Sequence, residues 1–299
     1  MAKAFSVASW NVEHFGTSRK INGKKETPKQ IKERIERVAN YLKVVNADVT
    51  GIYEVSGSQV FSIFRDIFSN HHFFITEGRQ TQEILVMVKP NVNVFITQKT
   101  EFKAGSSYLR PGALATVTVS GVNYLILFLH LKSLPNPKGF GLRDDMITKA
   151  VEFKSKILKS MRHRLKEEQG LSTLPPVSAV PPINYIFLGD LNIMGMNYRG
   201  RINDITSIDE MSNLDKLCQR NSVQMRRLDK TFDLTYRKDA SLESDLDHVV
   251  ASNNLSFKQF NGKSVEVMGW PNESTNAKRD KWKRDFSDHA LLYFEVQKL

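Results

Sequence analysis

The chain has 299 residues, of which 40% are hydrophobic and 25% are charged, a balance that excludes a disordered or fibrous protein. Lysine and arginine outnumber aspartate and glutamate by 43 to 32, and the net charge of +11 indicates either a polyanionic partner or a solvated basic surface. The single cysteine, Cys218, cannot form a disulfide within the chain, so we expect a cytoplasmic protein in a reducing compartment.

Short apolar segments rich in β-branched and aromatic residues predict a many-stranded protein. Turn residues bound most of these segments, as expected for strands rather than for long buried helices. The predicted strands, in chain order, span residues 4–10, 49–53, 73–76, 84–88, 92–97, 113–119, 124–129, 183–188, 248–251 and 291–296.

Three segments between these strands predict helices. Apolar residues recur at steps of three and four over residues 28–45, and Thr27 with Gln30 supplies a capping box in front of that helix. An aromatic-rich helix is predicted over residues 58–68, and a helix with one apolar stripe and one basic face over residues 143–166.

The segment LSTLPPVSAVPP, residues 171–182, is too rich in proline for a helix or an interior strand. Because the strand that follows it is as apolar as those before it, we interpret the segment as a surface loop within one domain of residues 1–299. The order of strands and helices lacks strict alternation, which favours packed sheets with helices outside over a doubly wound parallel sheet.

Polar side chains stand where several of these strands begin or end, and ionised groups next to apolar runs are costly unless they are paired or bind a cation. Each residue alone fits a turn or a solvated strand end. Their joint occurrence at separate strand ends favours a functional site instead. The residues are Asn11, Glu13, Glu54, His130, Asp190, Asn192, Asp247, Asp288 and His289.

The segments SWNVEHF, IYEV, LHLKS, FLGDLN, SDLDHVV and FSDHALLYF resemble the successive motifs of the endonuclease/exonuclease/phosphatase superfamily, which includes pancreatic DNase and abasic-site repair endonucleases. The resemblance runs from Asn11 to His289, nearly the whole chain. It implies a DNase I-like, four-layered α/β sandwich of two mixed sheets flanked by helices. It also implies hydrolysis of phosphoesters with a divalent cation, Mg²⁺ or in its place Mn²⁺.

The resemblance identifies Glu54 as the first metal ligand. It implies that Asn11, Glu13 and Asp288 complete or orient the metal site, although the family often has aspartate where this chain has Glu13. Magnesium prefers hard oxygen ligands and keeps several waters, so one or two carboxylates suffice to hold it.

The resemblance also assigns catalytic roles. His289 oriented by Asp247 fits a base with its supporting carboxylate, and Asp190 fits a residue that aligns or deprotonates water. Either His289 or Asp190 is the base, and both alternatives remain open. Asn192 is expected to donate to a phosphate oxygen, and His130 to protonate the leaving oxygen or to bind phosphate.

The chain departs from the repair endonucleases at His248, where they often carry arginine or an apolar residue, and this disfavours specific abasic-site repair. Lys132 and Arg143 resemble an HLKS…R pattern of bacterial relatives, and Arg110 lies in another recurring fragment. We interpret these three cations either as phosphate-binding residues or as solvated surface charges.

The segment TNAKRDKWKRDFS, residues 275–287, predicts a basic loop beside the site. Lys281 and Lys283 are candidates to contact a phosphate backbone, and Trp282 to stack on a base or, alternatively, to be buried. A magnesium-dependent DNA endonuclease is therefore the favoured function, with DNA preferred over RNA. The alternatives are a phosphomonoesterase or a lipid or inositol phosphodiesterase on the same scaffold, and a catalytically silent binding protein.

We expect a monomer with no membrane partner. The longest apolar run, residues 124–129, is far shorter than the roughly 20 residues that cross a bilayer. The first fifteen residues hold no continuous apolar run after their early lysine, so we expect no signal peptide.

Overall fold

The computed structural model of the protein describes residues 2–21, 23–103, 105–198 and 205–298. Its strands are β1 (Lys3–Phe15), β2 (Lys20–Ile21), β3 (Lys24–Lys25), β4 (Val49–Val55), β5 (His72–Ile75), β6 (Glu83–Val88), β7 (Asn93–Lys99), β8 (Gly112–Val119), β9 (Val122–His130), β10 (Asn184–Asp190), β11 (Met225–Arg227), β12 (Tyr236–Asp239), β13 (Leu242–Ser244), β14 (Asp247–Ser252), β15 (Glu266–Met268) and β16 (Leu291–Gln297). Its helices are α1 (Pro28–Val45), α2 (Ser58–Ile67), α3 (Pro137–Glu168), α4 (Ser207–Cys218) and α5 (Asn276–Asp285).

Most of the strands form two mixed sheets. In the described residues each sheet has six strands, in the orders β15-β16-β1-β4-β6-β5 and β11-β14-β10-β9-β8-β7. Each sheet has a parallel pair near its centre, β1 with β4 and β9 with β10. An antiparallel neighbour flanks each pair, β16 beside β1 and β14 beside β10.

The two sheets pack face to face and carry helices on their outer faces. Along β9, Ile126 and Phe128 belong to the core between the sheets, and Leu127 and Leu129 belong to the cluster under α3. This strict alternation follows from the two-residue period of a strand. Gly51 of β4 lies against Phe128 of β9, and an added Cβ at Gly51 would lie 2.3 Å from the Phe128 ring.

Aromatic and polar contacts fix the outer layers. Trp10 of β1 packs against Tyr41 of α1 and Trp282 of α5, with ring centroids 5.6 and 5.7 Å away. On the other sheet, the Tyr185 hydroxyl donates a hydrogen bond to the Ala150 carbonyl of α3 at 2.9 Å. The molecule is therefore the α/β sandwich of two packed sheets flanked by helices that the sequence predicts.

The helix predictions hold best where the apolar period is strong. Helix α1 has the predicted bounds and the predicted capping box between Thr27 and Gln30. Helix α3 begins at Pro137, earlier than the predicted start at residue 143, because the Asn136 side chain caps its first turn. The start was missed because proline and glycine in that turn weaken the helical pattern.

The prediction of a loop over residues 275–287 is wrong, because helix α5 occupies most of it. The Thr275 side chain accepts a hydrogen bond from the Lys278 N–H and caps the helix. In α5 only Trp282 is buried, so no apolar period announced the helix.

The segment 171–182 joins α3 to β10 and contains one short 3₁₀ turn, Val177–Ala179. None of the helices in the described ranges combines the length and the apolar character needed to span a bilayer.

Candidate active site

Polar side chains from both sheets meet at one edge of the sandwich. Because β1 and β4 are parallel, Asn11 and Glu54 reach this edge together. The parallel pair of β9 and β10 ends in register with His130 beside Asp190. The carboxyl ends of two parallel pairs therefore converge, which places side chains remote in sequence within one pocket.

The antiparallel neighbours add the remaining groups. Asp247 opens β14 directly opposite Asp190, the last residue of β10. His289 precedes β16, whose start adjoins the end of β1. One ligand atom from each of these three residues lies within 4.8 Å of the others, and all three side chains are buried.

Asn11 connects the two halves of the site. Its Nδ2 donates to Glu54 Oε1 at 3.2 Å and to Asp190 Oδ2 at 2.8 Å. His130 Nε2 lies 3.4 Å from Asp190 Oδ2 and 3.9 Å from Glu54 Oε1. The amide and the imidazole thus hold two carboxylates of opposite sheets close together.

The imidazole of His289 is oriented by Asp247. His289 Nδ1 lies 2.8 Å from Asp247 Oδ2, and its Nε2 lies 3.9 Å from Asp190 Oδ2. The Asp247 backbone N–H donates to the buried Thr235 hydroxyl at 2.9 Å. The His289 backbone N–H donates to the Ser287 hydroxyl at 3.1 Å. Neither Thr235 nor Ser287 was singled out in the sequence, because neither stands at the end of a predicted strand.

Two site residues lie in the left-handed backbone region that only glycine adopts freely. Glu54 has φ 63° and Asn192 has φ 51°. The Asn192 N–H donates to Asp190 Oδ1 at 3.0 Å, so this turn orients the aspartate. Gly189 of the same turn has φ 134°, and a Cβ there would lie 2.0 Å from the Leu129 carbonyl oxygen. Backbone strain of this kind persists where the surrounding structure holds a functional arrangement.

The carboxylates of the site differ in proton affinity. Burial raises the pKa of Asp190 to about 7, with a further contribution from the charge of Asp247. Burial also acts to raise the pKa of Glu54, but the His14 N–H, the Asn11 amide and the Arg110 charge outweigh it, and the net pKa is lowered. Glu54 therefore stays ionised at neutral pH, whereas Asp190 exchanges a proton in that range.

The two histidines are tuned in opposite directions. Burial acts to lower the pKa of His289, but the carboxylates of Asp247 and Asp190 prevail and raise it well above its ordinary value. Burial, with the positive charge of Arg110, lowers the pKa of His130 well below its ordinary value. At neutral pH the site thus pairs a charged imidazole with a neutral one.

The donor set fits a hard divalent cation. The buried Asn11 Oδ1 has no hydrogen-bond partner in the described part of the chain. It sits beside the ionised carboxylate of Glu54, and Asp190 and Asp247 add negative charge. Oxygen ligands of this kind are those that Mg²⁺ and Mn²⁺ prefer.

The other two predicted metal ligands lie around this group. Burial, with the charges of Glu13 and Glu54, raises the pKa of Asp288 to about 7. Glu13 accepts a charge-assisted hydrogen bond from Arg19 at 2.7 Å, so its carboxylate is already paired. Asp288 is thus electrostatically coupled to the cluster, whereas Glu13 is held by a cation.

Arg110 and Gln82 form a polar relay behind Glu54. Arg110 donates to Gln82 Oε1, and Gln82 Nε2 donates to Glu54 Oε2 at 2.7 Å. The Arg110 Nε is buried without a hydrogen-bond partner among the described residues. Gln82 was missed in the sequence because it precedes a strand without any motif, and only the fold places it at the site.

Arg143 does not face substrate. Its side chain is fully buried, and its Nε donates to Glu210 Oε1 at 2.6 Å. Its remaining N–H groups reach Glu210 and the carbonyls of Lys132, Leu134 and Gly195. The expectation of a phosphate-binding Arg143 is therefore wrong, since all its donor groups are engaged in joining α3 to α4 and two loops.

Trp282 is also a structural residue rather than a stacking platform. Its ring is buried and stacks on Phe286, with centroids 4.9 Å apart. Its neighbours on α5 differ from each other: Lys281 pairs with Asp285 one turn on, and Lys283 lines a cavity beside the site. The expectation that Trp282 stacks on a base is wrong, because its ring packs against Trp10 on the outer face of the sheet that contains β1.

His248 and Lys132 lie close to the cluster without joining it. His248 is buried, and its Nε2 lies 3.2 Å from the carbonyl of Asp245. Burial and the charge of Arg110 lower the pKa of His130, and the charge of Lys132 makes a smaller contribution in the same direction. Of the adjacent Asp247 and His248, the aspartate therefore lies in the site and the histidine lies in the protein interior.

No protein-family model and no curated protein matches the chain. Among solved structures, D. rerio TDP2 complexed with single-strand DNA product is 17% identical, with a TM-score of 0.59 over 98% of this chain and 99% of that one. An endonuclease/exonuclease/phosphatase from Bacteroides vulgatus is 13% identical, with a TM-score of 0.58 over 99% of both chains. A Bacteroides thetaiotaomicron mannosyl-6-phosphatase is 12% identical, with a TM-score of 0.55 over 98% of this chain and 100% of that one. The chain has the DNase I-like fold of this superfamily, so the predicted resemblance is confirmed for the fold.

Proposed function

We propose that this protein is a divalent-metal-dependent phosphodiesterase that cleaves nucleic acid, with DNA favoured over RNA. The observation that carries the proposal is the buried cluster of Asp190, Asp247 and His289, which Asn11 connects to Glu54. A phosphodiester resists hydrolysis because its anion repels hydroxide and its alkoxide leaves poorly. The cluster offers a group suited to each of these problems.

Glu54 and the unpartnered Oδ1 of Asn11 are the residues that would hold the cation, with Asp288 alongside. When bound, a divalent cation supplies charge neutralisation at the phosphate. The hydrogen bonds from His14 and Gln82 fix the Glu54 carboxylate in place and keep it ionised. The relay through Gln82 also fixes Arg110, whose charge compensates the carboxylates around the phosphate.

The proton steps follow from the opposite tuning of the buried groups. Asp190, with its pKa raised by burial to about 7, orients the attacking water and accepts its proton. The protonated His289 donates a hydrogen bond from Nε2 to a phosphate oxygen, and Asp247 keeps its ring in that orientation. His130 lies against Asp190, and its neutral imidazole donates a hydrogen bond to the phosphate or to the leaving oxygen.

The choice of substrate rests on charge and on the neighbours. The net charge of +11 favours a polyanion, and D. rerio TDP2, which shares the fold, is complexed with a single-strand DNA product. The mannosyl-6-phosphatase neighbour favours a second candidate, a phosphomonoesterase. A fold does not determine a substrate, so the two candidates are separated by experiment.

The test is cleavage of supercoiled plasmid, single-stranded DNA and RNA by the purified full chain, with Mg²⁺, Mn²⁺ or EDTA. Sugar phosphates, inositol phosphates and sphingomyelin complete the panel. We expect metal-dependent nicking that EDTA abolishes. Release of phosphate from sugar phosphates without nicking would contradict the nucleic-acid proposal and support the phosphomonoesterase.

The first prediction concerns Glu54→Gln, which keeps the size of the side chain and removes its charge. We expect nicking to fall by more than about a hundredfold, since a metal site without its ionised ligand loses most of its affinity. The control is Glu36→Gln on the exposed face of α1, which also removes one carboxylate. If both variants nick plasmid at the wild-type rate, Glu54 is not part of the reaction.

A further inference from the structure

A cavity of about 300 Å³ opens next to the catalytic cluster, between the end of β1, the β2 and β12 strands and helix α5. This volume is at the lower end of the range of small-ligand pockets, which is about 300–1,000 Å³. Five cations line it: Arg19, Lys20, Lys238, Lys283 and Arg284. These residues come from three segments far apart in sequence.

Each acidic side chain of the cavity already has hydrogen-bond partners within the protein. Glu13 is paired with Arg19 at 2.7 Å, and Asp280 accepts a hydrogen bond from Arg237 at 2.9 Å. Asp239 accepts hydrogen bonds from the backbone N–H and the hydroxyl of Ser241. Glu13 and Asp280 are therefore paired with arginines, Asp239 keeps its charge, and the cations of the lining outnumber its anions by five to three.

Two of the cations remain available to a ligand. Neither Lys20 nor Lys238 lies within ion-pair distance of a carboxylate in the part of the chain that the structure describes, and both are exposed. Their charges thus face solvent at the mouth of a concave site. Lysines in this position bind phosphate oxygens as point charges.

The frame of the cavity is rigid. The buried Arg19 donates to the carbonyls of Lys283 and Phe286 at 3.4 and 3.1 Å, and also to the carbonyl of Arg284. Its guanidinium thus joins the end of β1 to the C-terminal turn of α5, where a cation also compensates the helix dipole. A preformed frame lowers the ordering cost of binding.

The cavity adjoins the reacting centre through two of its own residues. Among the charges that act on the pKa of Asp288, after burial and His289, Glu13 raises it and Lys283 lowers it. Both Glu13 and Lys283 line the cavity. Glu13 also stands two residues after Asn11 on β1, so the cavity opens beside the strand end that carries the candidate site.

We propose that this cavity binds the phosphate next to the scissile one in a nucleic-acid backbone, through Lys20 and Lys238. The inference rests on the proposed function, because the cavity gains its meaning from a phosphodiester held at Asp190 and His289. It makes the enzyme selective for chains of phosphates over isolated phosphoesters, since only a chain occupies both sites.

The test compares Lys20→Ala/Lys238→Ala with Lys29→Ala/Lys32→Ala, a control that removes the same charge from the exposed side of α1. Binding of a labelled short single-stranded DNA is measured by fluorescence anisotropy in EDTA over a salt series. For the cavity variant we expect about a tenfold higher Kd and a log–log salt slope smaller by about 1.4, since each contact on a single strand contributes about 0.7. We expect the control to bind like the wild type.

Equal affinity and equal salt slope in the two double variants would overturn the subsite. A separate measurement tests the chemistry, namely magnesium-dependent hydrolysis of supercoiled plasmid by the wild type, since plasmid DNA can occupy both sites. Loss of DNA binding without hydrolysis by the wild type would support the subsite and contradict the proposed function. Hydrolysis by the wild type, together with unchanged DNA binding in the cavity variant, would support the proposed function and contradict the subsite.

Discussion

At the scale of single residues, the strand-end pattern located the cluster because polar groups that interrupt apolar runs need a physical reason. Asn11, Glu54 and Asp190 stand at such ends, and the fold brings them within hydrogen-bond distance. Arg143 fitted a motif equally well but lies in the interior, since a motif does not specify which way a side chain points. The sequence could therefore predict which carboxylates and imidazoles meet, but not which cations face the substrate.

Residues without any motif also shape the site, and Thr235 is the clearest case. Its buried hydroxyl accepts hydrogen bonds from the backbone N–H groups of Leu246 and Asp247 at 3.0 and 2.9 Å. These bonds fix the backbone that carries the Asp247 carboxylate to His289. Thr235 acts through Asp247 and is a positioning residue.

The second prediction is that Thr235→Val lowers kcat/KM by about tenfold or more, as loss of a supporting hydrogen bond around a site residue does. Valine has nearly the shape of threonine but leaves two buried N–H groups without an acceptor, at about 1–3 kcal/mol each. Thr235→Ser keeps the hydroxyl, and we expect it to restore most of the activity. Equal activity of the valine and serine variants would show that the hydroxyl does not position Asp247.

At the scale of elements, the sequence predicted α1, α2 and α3 but not α4 or α5. Helix α1 buries a stripe that includes Ile35, Val38 and Leu42, and its bounds were predicted to the residue. Helix α5 is held by the single buried Trp282 and by the contacts of Arg19 with its last turn, and neither has a period. A helix that is held by one buried side chain and by an arginine remote in sequence has no apolar period, so a search for such a period does not predict it.

The junction of β1, β4 and β6 depends on one carboxylate. Asp48 Oδ2 accepts hydrogen bonds from the Ser6 N–H at 2.8 Å and from Lys3 Nζ at 3.0 Å, and Oδ1 accepts from Lys89 Nζ at 3.0 Å. Burial acts to raise the pKa of Asp48, but the hydrogen bonds of these donors lower it from 3.8 to about 2. The folded state thus binds a proton at this site less readily than the unfolded chain.

The third prediction concerns acid stability. Because the folded pKa of Asp48 is lowered, its contribution is complete above about pH 5 and is lost as pH falls from about 4 towards 2. The shift corresponds to about 2 kcal/mol of unfolding free energy at neutral pH. We expect Asp48→Asn to lower the free energy of unfolding at pH 7 by about that amount and to flatten its decline between pH 5 and pH 3, measured by urea denaturation. Asp66→Asn on the exposed surface of α2 is the control, and the prediction fails if the two variants lose the same stability.

At the scale of the whole molecule, the sequence predicted the sandwich because site motifs recur at strand ends along nearly the entire chain. It could not predict the basic cavity, since Lys20, Lys238 and Lys283 are brought together only by the packing of α5 on the first sheet. The candidate site has the same dependence on packing: Asn11 and Glu54 belong to one sheet, and Asp190 and Asp247 to the other. The distance between the sheets therefore controls the site.

Gly51 of β4 and Phe128 of β9 form one of the tight contacts between the two sheets. A Cβ at Gly51 would lie 2.3 Å from the Phe128 ring, closer than any van der Waals contact. Overpacking of this kind costs about 1–3 kcal/mol and is relieved by moving the backbone. Because the Phe128 ring lies in the core between the sheets, we expect the relief to include a wider gap between them.

The fourth prediction is that Gly51→Ala lowers the free energy of unfolding by about 1–3 kcal/mol and also lowers phosphodiesterase activity. Activity falls because a wider gap lengthens the 2.8 Å hydrogen bond between Asn11 and Asp190. Gly141→Ala in α3 is the control, because a Cβ at this position meets nothing within 4 Å. Alanine in place of glycine inside a helix raises the free energy of unfolding by about 0.5–1 kcal/mol.

The double variant Gly51→Ala/Phe128→Leu separates sheet spacing from a local effect at Gly51. Leucine lacks Cε1, and its two Cδ methyl groups can turn away from an added Cβ as a planar ring cannot, so part of the stability and activity lost in Gly51→Ala should return. A double-mutant cycle measures this return as a coupling of about 0.5–3 kcal/mol between the two positions. Independent effects of the two substitutions would mean that this contact does not set the distance between the two halves of the site, and would leave the hydrogen bonds of Asn11 and the contacts of His130 to hold the carboxylates together.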